Sequence, residues 1–356
     1  MRSLSGRRSM MVFAMVLAAP ARGDACAQAP IPMHDHAMEV DRGAALRIYR
    51  DRDDLVVDVG PIDLPAHAEH DVVRQPPPLA AAVPVDGWLR GYVVEMVDGA
   101  GERVPQRVLH HLNVIAPEKR ELFSPIMLRI AAAGAETAPV ALPSVVAYHV
   151  HAGDTLLVSM MLHNPTDRAY SSVHVRVRMP YSEPKWWRHP LAVVPFYLDV
   201  MPPAGSHSFD VPPGRSEFYW EGHPAIGGRI VAMGGHMHKY GVELRLEDRT
   251  DNRVVWRDKS ITDSTGDIVA MPISMFVRQL GLPMRPDHVY RLVAVYENPT
   301  GHTIVDGGMG ALGGVVWPMG SKPWPSVDRS SRDYQFDVRY TWRQIASEPD
   351  EMRHPK

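Results

Sequence analysis

The sequence predicts an all-β protein built as two tandem antiparallel β-sandwiches, jelly-roll-like in plan, behind a cleaved leader. Three observations carry that expectation. Proline is abundant, at 33 of 356 residues, roughly twice the usual 5% share, which long helices tolerate poorly and short strands joined by turns tolerate well. Apolar residues alternate with polar ones at period two in several windows, as on half-buried strands. Few windows hold a 3.6-residue period. Apolar residues make up 45% and charged residues 22% of the chain, so a folded core is available and wholesale disorder is excluded. A formal net charge of −3 gives no basic field for nucleic acid.

The leader comes first. Arg2, Arg7 and Arg8 precede the apolar run Met10–Ala19, which is too short for a membrane span, and Ala25-Cys26-Ala27 offers an A-x-A cleavage site. Residues 1–27 are therefore expected to be a signal peptide, by a Sec or twin-arginine route, and the product to be exported, periplasmic or secreted. Cleavage removes the single cysteine, so disulfides and Cys-based metal sites are excluded from the mature chain. No other apolar run is long enough to cross a membrane. Residues 28–39 read as a flexible lead; His34 and His36 within it fit a solvated tail better than a metal scavenger.

Residues 40–190 are expected to form the first sandwich. Val173, Val175 and Val177 alternate there with His174, Arg176 and Arg178. Pro180, Pro184, Pro190 and Pro195, with Trp186-Trp187 between them, mark the boundary to a second sandwich over 191–346. In that half, Val242, Leu244 and Leu246 alternate, and Asp248-Arg249-Thr250-Asp251-Asn252 turns the chain into Val254-Val255-Trp256, a hairpin signature. Tyr334, Phe336, Val338, Tyr340 and Trp342 alternate strictly and predict one more half-buried strand, before a tail over 347–356. Trp220, Trp256 and Trp317 read as core or edge anchors rather than a nucleic-acid platform.

The chemistry must come from 18 histidines. His110 and His111 are adjacent, and neighbours on a regular strand face opposite ways, so both can serve one ion only where the strand bends or ends. His236 and His238, in Gly234-Gly235-His236-Met237-His238, share a face at i and i+2, with glycines that permit close backbone approach. Solvated histidines on an exposed strand would look the same. His163 ends the strand-like stretch Thr155–Leu162 and is followed by Asn164-Pro165. His149 and His151 are rivals to it. Met160 and Met161 read as core, and His302 as a loop residue on the approach to Met309. Met309 lies in a glycine-rich turn, where it could plug a core gap or offer a soft thioether suited to Cu(I).

Together these residues resemble the copper type II, ascorbate-dependent monooxygenases, the family of peptidylglycine α-hydroxylating monooxygenase and dopamine β-monooxygenase. The order is a His-His doublet, a later histidine, a His-x-His pair and a methionine. His163 follows His111 by 52 residues, His236 follows His163 by 73, and Met309 follows His238 by 71. Phe196–Met201 followed by Pro202-Pro203-Ala204-Gly205 looks like the family's opening strand of the second domain, and the likeness covers roughly residues 85–345.

The resemblance implies two copper ions per chain. His110, His111 and His163 would hold the electron-transfer copper. His236, His238 and Met309 would hold the catalytic copper, where O2 binds, with the two trios facing each other across a cleft. It implies hydroxylation of an activated C–H bond of a small organic substrate with O2 and an electron donor, ascorbate or another. The sequence departs from the peptidylglycine enzyme at Gly234, where that enzyme carries a carboxylate-binding arginine, and at Ala311 and Gly313, where it carries Asn and Tyr. A glycyl carboxylate would lose its charge-assisted hydrogen bonds, so peptidylglycine substrates are not expected to turn over. The alternatives are a non-catalytic copper-binding or electron-transfer protein on the same fold, and a β-sandwich adhesion or carbohydrate module with surface histidines.

Overall fold

The computed structural model describes residues 41, 43–185 and 189–343. The leader, the lead with His34 and His36, Trp186-Trp187 and the 347–356 tail lie outside the described residues. Among the described residues the chain is all-β apart from two 3-10 turns and one α-helix. Two sandwiches are present, and the described residues all fall within one compact unit.

In the first sandwich, the strands Ala45–Asp51, Asp54–Leu64, Tyr170–Ser182, Gly87–Leu89, Val146–Val150 and Leu191–Ala192 follow one another across one sheet, and Gly91–Val97 pairs off it. The facing sheet runs Leu79–Ala82, Thr155–Leu162, Leu109–Arg120, Met127–Ala133. Val173, Val175 and Val177 are buried in the core between them while His174, Arg176 and Arg178 stay half-exposed, as their alternation requires.

The second sandwich packs the sheet of Val194–Asp199, Gly310–Pro318, Gly228–Met237 and Ile273–Met275 on the sheet of Gly214–Gly222, Tyr290–Asn298, Gly241–Asp248 and Arg253–Lys259. The expected hairpin is there: Leu246 lies opposite Trp256 and Asp248 opposite Arg253. Asn252 takes the left-handed φ of 49° that closes the turn, a conformation asparagine tolerates.

The halves are stitched rather than tethered. Leu122 and Phe123 leave the first sandwich to join the second core, Trp324 packs on both cores, and the Trp324 indole donates to the Arg120 carbonyl at 2.8 Å. Buried Glu121 accepts backbone N–H groups from Leu122, Arg129 and, across the junction, Tyr197.

One expectation is corrected. The alternating stretch Tyr334–Trp342 is not a strand but lies in helix α1, Arg332–Arg343, which returns to the first sandwich. Helical spacing puts Tyr334, Asp337, Val338 and Thr341 on one face. Tyr334 and Val338 cover Ile115, Met127 and Leu157. Asp337 enters a buried ion pair with Arg129, and Trp342 is left exposed. Nine residues of alternation, with five apolar positions, favour a strand locally, but the 3.6-residue spacing of Tyr334, Asp337, Val338 and Thr341 also builds a buried helix face; the buried carboxylate, matched to an arginine 208 residues away in sequence, decides it. Among the described residues no helix is long and apolar enough to cross a membrane.

Candidate metal centre

The His110-His111 doublet sits where its strand is irregular. His111 lies opposite Met161 and Leu109 opposite Leu162, so His110 is the extra residue of a β-bulge. The bulge does what a flat strand cannot: it turns neighbouring imidazoles toward one place, with ring centroids 4.2 Å apart. From the second sandwich come His236, near the end of strand Gly228–Met237, and His238 just beyond it, their rings 5.2 Å apart. Gly235 lies beside them under the side-chain ends of Leu244 and Met271; a Cβ there would stand 2.7 Å from Leu244 Cδ2 and 2.8 Å from Met271 Cε, so those ends would have to shift.

The two expected trios do not stand apart. His111 Nε2 lies 3.2 Å from His236 Nε2 and 3.2 Å from His238 Nε2. Nitrogen ligands about 2.0 Å from a tetrahedral ion are separated by roughly 3.3 Å, so this spacing fits a shared ion. His110, His111 and His238 also place one ring nitrogen each within 4.8 Å of one another. The four imidazoles therefore form one cluster: His110, His111 and His238 converge as a trio, and His236 joins it at His111.

The protonation states suit ligands. Burial, and then the neighbouring imidazoles, hold His111 and His238 well below the usual histidine range. His110 is pulled down to about 4 by burial and by His163, His236 and His70. Burial also works against the charged form of His236, but the charge and hydrogen bond of Glu136 outweigh it and raise its pKa. Glu136 Oε1 accepts from His236 Nδ1 at 2.6 Å, which fixes the proton there and presents Nε2 to the cluster. Facing Nε2 atoms can share a ring proton as hydrogen bonds, and the same nitrogens present lone pairs to a cation when their rings are neutral.

Met309 lies between strands Ile304–Gly308 and Gly310–Pro318 and lines the cavity beside the cluster. The buried Tyr296 hydroxyl positions it: that oxygen accepts from the Met309 N–H at 2.9 Å and from the His238 N–H at 3.1 Å, and donates to the Met309 carbonyl. His163 packs 5.5 Å from His110 between ring centroids, but its Nε2 donates to the Arg107 carbonyl at 2.7 Å and it is not part of the cavity wall. His70, which no sequence motif marks, stacks on His110 with ring centroids 6.0 Å apart. Buried Gln75 holds these pieces together, donating to the His70 and Leu162 carbonyls and accepting from the Leu162 N–H. The rivals lie elsewhere: His149 packs on Trp88 and His151 on Asp86, away from the cavity. His302 is exposed and turned to the Thr300 carbonyl. Met160 is core, as expected, whereas Met161 reaches the cavity wall.

That cavity, about 450 Å³, opens between the sandwiches. Its wall is mostly apolar, with Leu112, Ile130, Phe196, Met233 and Val315 among its residues, and it includes Gly234, Ala311 and Gly313. Arg129, the one lysine or arginine among the described wall residues, is spent on Asp337 and the Met127 carbonyl.

No family model matches the chain. No curated protein matches it either. Among solved structures it is similar to the major capsid protein P2 from bacteriophage PM2, at 10% identity over 74% of this chain and 99% of that one, with a TM-score of 0.32. It is also similar to a structure of infectious bursal disease virus Gx strain, at 11% identity over 82% of this chain and 77% of that one, with a TM-score of 0.23. Neither likeness bears on function.

Proposed function

We propose that this protein is an exported copper-dependent monooxygenase that holds its ion with His111, His236 and His238 and binds a small organic substrate in the adjoining cavity. The observation that carries this reading is the meeting of Nε2 atoms from two sandwiches at 3.2 Å beside an apolar chamber. Imidazole ligands, with Met309 on the same cavity wall, favour copper over magnesium, calcium or manganese. Copper, when bound, supplies one-electron and O2 chemistry. The chain's own residues do the rest. Glu136 fixes the His236 tautomer, Tyr296 holds the His238 and Met309 backbones in register, and the apolar wall excludes water from the substrate.

The shared position of His111 favours one copper per chain over the two that the family resemblance implies. The 3.2 Å approaches of His111 Nε2 to both His236 and His238 support that count. The test is copper stoichiometry of the reconstituted full chain together with O2 uptake under ascorbate, screened against small neutral amines, amides and phenols. One copper per chain, lost in His111→Ala, with substrate-coupled O2 uptake supports the proposal. Stoichiometric copper without coupled uptake under any reductant would leave an electron carrier instead, and absence of copper binding would overturn the metal assignment.

A further inference from the structure

The cavity wall carries a second polar device that the metal does not require. His207 is 6% exposed, lines the cavity, and its Nδ1 lies 2.8 Å from Asp199 Oδ2. Asp199 is itself 6% exposed and accepts from the Tyr197 hydroxyl at 2.5 Å and from the Met201 N–H at 2.8 Å. With three donors converging on it, the carboxylate is a committed acceptor, and burial followed by the Asp199 charge keeps the Tyr197 phenol protonated as a donor. The imidazole must therefore carry its proton on Nδ1. In the neutral ring that leaves Nε2 as a bare acceptor, and it has no hydrogen-bond partner among the described residues. The Tyr340 ring from helix α1 packs edge-on against His207 at 4.6 Å and fixes the plane of the ring.

We propose that the His207–Asp199 pair is the substrate-orienting element of the cavity, and that the cavity selects a small, neutral, largely apolar molecule bearing one N–H or O–H donor, which bonds to His207 Nε2. This rests on the cavity being the substrate site of the enzyme proposed above. A largely apolar wall with a buried, unpaired acceptor rewards a matching donor and penalises an isostere that leaves that acceptor unpaired. An anionic ligand finds no free fixed cation among the described wall residues, since Arg129 is already paired. Sequence alone gives no hint of the pair: an His and an Asp eight residues apart across a Pro-Pro-Ala-Gly loop match no motif.

The experiment compares three bicyclic probes of similar shape, indole (donor only), indene (no polar atom) and quinoline (acceptor only), by calorimetric titration into the full chain at pH 8, before and after EDTA treatment. Indole is expected to bind roughly tenfold tighter than indene, the value of one buried hydrogen bond, in both states. Indole-3-carboxylate should not compete with it. His207→Phe should erase the indole preference while leaving the indene affinity within about twofold. Asp199→Asn, which lets the ring carry its proton on Nε2, should shift preference from indole toward quinoline and serves if the phenylalanine variant does not fold. Equal affinity for indole and indene in the parent chain, no binding of either, or a preference retained in His207→Phe would each overturn the proposal. Because the titration is repeated without metal, a failed copper assignment would show in the stoichiometry and leave these results unchanged.

Discussion

Glu136, carried by the first sandwich, accepts the Nδ1 proton of His236, carried by the second, over 2.6 Å. The contact joins the two halves at the point where the imidazoles meet, and each partner answers the other. Burial alone would raise the Glu136 pKa, but the His236 charge and hydrogen bond bring it below the ordinary glutamate value.

Removing that carboxylate charge should weaken metal binding without dispersing the ligands. Glu136→Gln is expected to lower copper affinity by about 10- to 100-fold, the usual cost of losing the acceptor behind a ligating imidazole. A competition titration against a chelator of known affinity reads this directly. An unchanged affinity would show that His236 does not ligate through Nε2.

Tyr296 makes a separable prediction. Its hydroxyl serves the His238 N–H, the Met309 N–H and the Met309 carbonyl. In Tyr296→Phe these buried backbone groups lose their partner, at a cost of about 1–3 kcal/mol for such a group. Urea unfolding should show the loss, and Cu(I) affinity should fall with it because two ligand-bearing segments are loosened together. Stability lost with Cu(I) affinity retained would mean that Met309 lies outside the coordination sphere.

The Arg129–Asp337 pair anchors helix α1 to the sheet beneath it. Asp337→Ala leaves a buried guanidinium without its counter-charge and should cost about 3–5 kcal/mol. Pairing it with Arg129→Met should recover much of that. Helix α1 supplies Tyr340 and Thr341 to the cavity wall, so the single variant should also lose probe binding. Limited proteolysis beyond Pro325 would report the release of the helix.

Glu121 predicts a pH dependence of stability. Burial raises its carboxyl to about 7 against three backbone N–H hydrogen bonds and the Arg129 charge, which favour ionisation. A carboxyl whose folded pKa is raised binds more protons folded than unfolded. Its contribution is therefore greatest below the unfolded value of 4.5 and is lost as pH rises to about 7. The window is worth about 3 kcal/mol. Unfolding free energies of the parent chain and Glu121→Gln, taken at pH 5 and pH 8, should diverge with that sign. A parallel pair of curves would show that Glu121 is ionised throughout.

Gly313 faces open space, where a Cβ would meet nothing within 4 Å, and it lines the cavity. Gly313→Leu should fold normally and occlude the chamber, lowering affinity for indole and indene alike by at least about tenfold, as the loss of most of a buried small-ligand contact requires. Unchanged affinity in a folded variant would place the ligand elsewhere.

The sequence by itself determined the class of fold, the hairpin at 248–254, the alternation of Val173, Val175 and Val177, and the short set of histidines worth following. Each of these is local, because strand alternation and turn chemistry are written in neighbouring residues. Tertiary structure decided the rest. The bulge that turns His110 beside His111 depends on the register of a strand 50 residues onward. The helical state of Tyr334–Trp342 depends on Arg129, and His70, Glu136, His207 and Tyr296 acquire roles only from what they meet. Whether two trios stand apart or merge depends on how closely two sandwiches pack. That packing is set by the summed burial of Leu122, Phe123 and Trp324 and by the Glu121 contacts, and no spacing along the chain encodes such a sum.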